Sequence, residues 1–89
     1  MTLTLQQELN TVKPNNTYNG WANWTTWNCA LWINNDQGLY NIAGRCEDLF
    51  DFIIEMQDRN MNQTQDGASW TMADYDELTE LIQSIERQY

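Results

Sequence analysis

The sequence predicts an all-α chain: a small bundle of three principal helices preceded by an N-terminal helical segment. Three observations carry this expectation. A tryptophan-rich stretch places apolar residues at helical spacing, a long 3.6-residue stripe runs from Leu39 to Met56, and a second stripe of Leu78, Leu81, Ile82 and Ile85 follows a run of acidic residues suited to a helix start.

Taken in order, Leu3, Leu5, Leu9 and Val12, with a Thr4-x-x-Gln7 capping box, form a short N-terminal helix that Lys13-Pro14 ends. Asn15-Asn16-Thr17 is a polar linker, so residues 1–17 read as an arm and linker and residues 18–89 as a single helical domain. Asn19-Gly20 is a turn dipeptide and Asn23 a helix cap. From there Trp24, Trp27, Ala30 and Leu31 recur on one face of a helix that ends near Asn34-Asn35. Each indole buries ~150–250 Å², so Trp21, Trp24, Trp27 and Trp32 are expected to build much of the core. The sharper alternative is a stacking platform for bases. Such platforms sit in basic grooves, and no Lys or Arg lies between Pro14 and Gly44.

The second principal helix carries Leu39, Ile42, Ala43, Cys46, Leu49, Phe50, Ile53 and Met56 as its apolar stripe for about five turns, with Gly44 inside it. Its opposite face carries Glu47, Asp48, Asp51, Glu55 and Asp58, with Arg45 and Arg59 spaced to pair with Asp48 and Glu55. Residues 59–69 form a polar loop. If Gly67 is set at the sixth position of a calcium loop, the twelfth is Ala73 where a bidentate Glu is needed, so a turn is the better reading. Thr71 is expected to cap the last helix, with Asp76, Glu77 and Glu80 facing outward. Cys29 and Cys46 read as buried free thiols, since no histidine or paired spacing accompanies them; the alternative is a disulfide between two touching helices, against which a cytosolic setting argues.

The run Tyr18-Asn19-Gly20-Trp21-Ala22-Asn23-Trp24-Thr25-Thr26-Trp27, continued by Leu31-Trp32-Ile33-Asn34-Asn35-Asp36 and Leu39-Tyr40, resembles the opening motif of small proteins encoded by bacteriophages and related mobile elements. That motif reads Asn-Gly-Trp-x-Asn, an aromatic, x-Thr-Trp, then Leu-Trp and Asn-Asp. Thr25 departs from it where an acidic residue is common, and Asn28 and Cys29 replace apolar or charged residues. The resemblance implies a mobile-element setting and carries no mechanism.

Function is read from charge and from missing chemistry. With no histidine, no Gly-rich phosphate loop and one lysine in a linker, the chain is not expected to be an enzyme or to hold a metal or cofactor. Thirteen Asp and Glu against four Lys and Arg give a net charge of -9, concentrated after residue 35. Phosphates would meet like charge, so direct nucleic-acid binding is disfavoured and a basic partner favoured. Glu47, Asp48, Asp51, Glu55, Asp58, Asp76, Glu77 and Glu80 are the candidate partner-binding residues. Carboxylates about one turn apart, ~5.4 Å, suit a groove evolved for phosphates, as in a DNA mimic. With the phage-like motif, this points to an inhibitor of a host nucleic-acid-binding or defence protein, of anti-CRISPR or antirestriction type. The alternative is a structural or adaptor protein that self-assembles through an aromatic surface, its acidity serving only solubility. A chain of 89 residues sits where one core is marginal, which favours a homodimer. No apolar run reaches the ~20 residues of a membrane span, and a cytoplasmic location in the host cell is expected.

Overall fold

One asparagine cap and three aspartate caps set where the α-helices begin. The computed structural model describes residues 18–86; the N-terminal helix expected over Thr2–Val12, its linker and Tyr89 lie outside them. Among the described residues the chain is all-α, with four α-helices, one 3-10 turn and no strand. It begins with a tight turn in which Tyr18 and Trp21 exchange both backbone hydrogen bonds, at 2.7 and 2.8 Å. Asn19 and Gly20 between them take φ of 48° and 88°, the left-handed pair that Asn-Gly adopts at little cost.

α1 spans Trp24–Asn35 and starts at Asn23, whose side chain accepts the Thr26 N–H at 2.8 Å. Its inward face is Thr26, Cys29, Ala30 and Ile33, one residue out of phase with the expected face. Trp24 is therefore 40 % exposed and Leu31 is also outside, which corrects the expectation that Trp24 builds the core. Trp21 and Trp32 are half-buried against the core, and the fully enclosed indole is Trp70.

Asp36 closes α1 and opens α2 at once. Its N–H bonds to the Trp32 carbonyl, and its carboxylate accepts the Leu39 N–H at 3.0 Å. α2 covers Gln37–Ala43 and stops at Gly44; α3 covers Leu49–Asp58 and starts from Asp48, whose side chain takes the Asp51 N–H at 2.9 Å. The single helix expected from Leu39 to Met56 is thus two. A glycine at the end of one and an Asp-x-x-Asp cap at the start of the next outweigh the continuous stripe. The break leaves the rest of the stripe inside, with Leu39, Ala43, Cys46, Leu49 and Met56 buried and Ile42 and Ile53 packed against the core. α3 buries Leu49, Phe52 and Met56, while Phe50, expected inside, is 61 % exposed.

Residues 59–69 form the expected polar connection, turned by Gly67 at φ 95°. A 3-10 turn over Trp70–Met72 then drives Trp70 into the core at 1 % exposure. There its ring meets Phe52 edge-on at 5.0 Å and 79°, and its Nε1–H donates to the Met61 carbonyl at 2.9 Å. α4, Tyr75–Ser84, is capped by Asp74, not by Thr71 as expected, because Thr71 is taken up in the turn that inserts Trp70. Asp76 and Glu77 occupy its first turn and complement the helix dipole. Leu78 and Ile82 seal the core, with Ile85 just beyond the helix end.

Candidate acidic interaction surface

The polar residues of the tryptophan motif are consumed in holding the fold. Thr26, fully buried, donates its hydroxyl to Asn23 Oδ1 at 2.7 Å and accepts the Asp74 N–H at 2.8 Å, joining the first and last helix caps. Asn28, also buried, accepts from the Thr64 hydroxyl at 2.7 Å and donates to Asp66 Oδ2 at 2.9 Å. The same Asp66 oxygen accepts the Trp32 Nε1–H at 2.9 Å. These two bonds, from Asn28 and then Trp32, hold the Asp66 carboxyl below its ordinary pKa of 3.8. Nothing in the linear spacing exposed this network, since its partners lie 34 to 38 residues apart.

The eight carboxylates expected to bind a partner are not one uniform stripe. Asp48 is half-buried, caps α3 and accepts the Tyr75 hydroxyl at 3.0 Å. Asp51 takes the Glu47 N–H at 3.0 Å, and the Glu47 carbonyl accepts from Gln83 at 3.1 Å. Glu55 pairs with Arg59 at 2.7 Å, the i,i+4 pair the sequence indicated. Asp58, Asp76 and Glu80 are exposed. Glu77 accepts the Ala22 N–H at 2.8 Å, and with Glu80 it lines a separate open groove of about 510 Å³ whose far wall is Gly20 and Trp21. What the structure gathers around α3 is therefore Glu47, Asp48, Asp51, Glu55 and Asp58.

Beside that group sits an apolar centre missed by periodicity. Phe50 and Ile54, one turn apart on α3, are exposed, and the Phe50 ring packs on Tyr75 of α4 at 4.8 Å. The Thr79 hydroxyl pulls the Tyr75 phenol's pKa down, but its bond to Asp48 and the nearby charges of Asp48 and Asp76 leave it above 10.0. The signal that could have found this centre was Asp48-x-x-Asp51, read as a helix start. Among the described residues no group of three or more His, Cys, Asp or Glu side chains is placed to hold a metal ion. Both thiols are buried; burial pushes Cys29 up to about 12, and burial with the charges of Glu55 and Asp51 pushes Cys46 up to about 11.

The model of a family of unknown function, DUF7249, matches residues 14–88, which include every element described above. The chain belongs to that family. Beyond the DUF7249 match, no curated protein and no solved structure matches the chain. No helix of the DUF7249 chain among the described residues is long and apolar enough to cross a membrane.

Proposed function

We propose that this protein is a non-enzymatic acidic interaction protein whose α3–α4 face captures a basic partner. One observation carries the reading: five carboxylates on and before α3 run beside the exposed Phe50–Tyr75 pair, with Asp48 bonded to the Tyr75 hydroxyl, at a net chain charge of -9. Such a face steers a positively charged surface toward it over a Debye length, ~8–10 Å at ordinary salt, and then offers apolar contact at short range. The resemblance of the tryptophan motif to phage-encoded proteins makes the partner a host nucleic-acid-binding or defence protein, with the carboxylates of Asp51, Glu55 and Asp58 standing where phosphates would lie. Asp58 contributes most freely to that role, because Glu55 shares its charge with Arg59. The test is capture of proteins from host lysate at low and high salt by the wild type and by Asp51→Asn, Glu55→Gln and Asp58→Asn combined. A basic protein is expected to be held at low salt and released at high salt, and the triple variant to capture it more slowly with a flatter salt response. Equal capture by both proteins at both salts would rule out α3 as the binding element.

A further inference from the structure

One stretch of this acidic chain carries no charge of its own. No Asp, Glu, Lys or Arg occurs from Tyr18 to Asn35, and every acidic residue except Glu8 lies at Asp36 or beyond. Within that stretch the inner face of α1 is committed to Cys29, Ala30, Ile33 and the Thr26 network. Its outer face presents Trp24 and Leu31, seven residues apart and nearly in line, 40 % and 37 % exposed. Half-buried Trp27 lies between them, and the exposed Tyr18 ring leans on it at 5.0 Å and 57°. Three large aromatic side chains and a leucine thus form an uncharged stripe held in shape by a capped helix and a tight turn.

We infer that the Trp24–Trp27–Leu31 stripe of α1, with Tyr18, is a twofold contact between two copies of this chain. Charge selects the occupant. Two molecules of net charge -9 repel, so they meet most cheaply where carboxylates are fewest; none of the stripe's own residues carries one, and Asp66, bonded to Asn28 and Trp32, borders it on one side only. A basic partner finds less countercharge there than at the α3–α4 face, since only Asp66 borders the stripe. The stripe also complements itself. In an antiparallel pairing centred near Trp27, Trp24 of each copy meets Leu31 of the other and the two Trp27 rings face across the axis, as a self-complementary contact requires. α1 is ~18 Å long at ~1.5 Å per residue, so the contact is smaller than the ~800 Å² per partner of tight complexes. The association is accordingly weak and concentration-dependent. This contact is independent of the acidic face, and a pair of copies would carry two such faces.

Sedimentation velocity on the full chain tests this over about a hundredfold range of concentration, at low and high salt. The average mass is expected to climb from 10.5 kDa toward twice that value, and more readily at high salt, where repulsion is screened. Trp24→Gln with Leu31→Gln should weaken the association at least about tenfold, the effect of losing a single ~1.4 kcal/mol. Leu31→Glu alone, a milder change to the fold at an exposed site, should do the same by placing like charges across the axis. Phe50→Gln with Ile54→Gln should leave it unchanged. A monomer at every concentration, association undiminished by both α1 variants, or association abolished by the Phe50/Ile54 pair would each overturn the assignment.

Discussion

Replacing Trp70 by alanine should cost more than replacing Trp24, although Trp24 sits in the tryptophan-rich motif and Trp70 stands alone after a polar loop. Trp70 is 1 % exposed and interlocks with Phe52, so its whole ring leaves the core in the variant. At ~25 cal/mol per Å² and ~150–250 Å² per aromatic, the transfer loss is ~4–6 kcal/mol, in line with the ~3–5 kcal/mol typical of such truncations. Against a total stability of ~5–15 kcal/mol, that is enough to leave much of the protein unfolded. Trp24 keeps 40 % of its surface in solvent, so the same transfer loss falls to ~2–4 kcal/mol, and its removal opens onto water without adding a cavity cost. Trp70→Phe separates packing from polarity: it keeps a ring against Phe52 but drops the Nε1–H bond to Met61, at ~1 kcal/mol beyond the lost volume. Urea denaturation followed by far-ultraviolet circular dichroism, at low protein concentration, reads all three. A Trp24→Ala variant as unstable as Trp70→Ala would show that the motif, and not the 3-10 turn, holds the core together.

The remaining predictions concern protons, thiols and the turn. Because the folded pKa of Asp66 lies below its ordinary 3.8, its stabilising bonds are fully present above 3.8 and are lost as pH falls through the lower folded value. Asp66→Asn should therefore flatten the acid limb of the stability–pH curve, and an unchanged limb would mean the bonds to Asn28 and Trp32 contribute nothing. Cys29 and Cys46 should resist alkylation in the folded protein at about pH 8 and react on unfolding, since their thiols stay protonated there; rapid native labelling would contradict their burial. Asn28→Asp should destabilise the protein at neutral pH and regain part of the loss on mild acidification, because it sets a buried carboxylate beside the exposed Asp66 oxygen now 2.9 Å away. Gly20→Ala should cost ~1–2 kcal/mol by strain at φ 88° alone, as a methyl group there meets open space. A melting temperature equal to that of the wild type would mean the turn relaxes freely.

Local chemistry was readable where it acts over a few residues. Asn23 as a cap, the end of α1 near Asn35, the Arg59–Glu55 pair and the buried Leu78 and Ile82 all follow from spacings of three or four. Phase was harder. A stripe of eight apolar residues looked continuous across Gly44–Asp48, and seven of the eight do face the core although the helix stops and restarts between them. Phe50 was the misplaced one: on α3 the inward face is Leu49, Phe52, Ile53 and Met56, and Phe50 lies ~100° round from Leu49. The same kind of error set the α1 face wrong, since Thr26 and Cys29 are less apolar than Trp24 and Leu31 but are the ones the fold encloses. Hydrophobicity ranked them incorrectly because a buried threonine with both hydrogen bonds made, as at Thr26, costs little. The candidate acidic face was legible as charge but not as geometry, as the links of Asp48 to Tyr75 and of Glu77 to Ala22 span 27 and 55 residues.

The interruption between α2 and α3 also determines how the chain would come apart under a protease. Between Tyr18 and Glu86 the only basic residues are Arg45 and Arg59, so trypsin has two places to cut there. Arg45 is exposed in the interruption, but the next residue, Cys46, is buried, with its N–H bonded to the Ala43 carbonyl and its Sγ to the Ile42 carbonyl. The peptide bond after Arg45 cannot enter an extended protease cleft until Cys46 lets go. Cleavage there reports how often this short segment opens, which can be far more often than the whole chain unfolds. The cut would part the uncharged aromatic helix from α3 and α4, dividing the molecule along the boundary between its two kinds of surface.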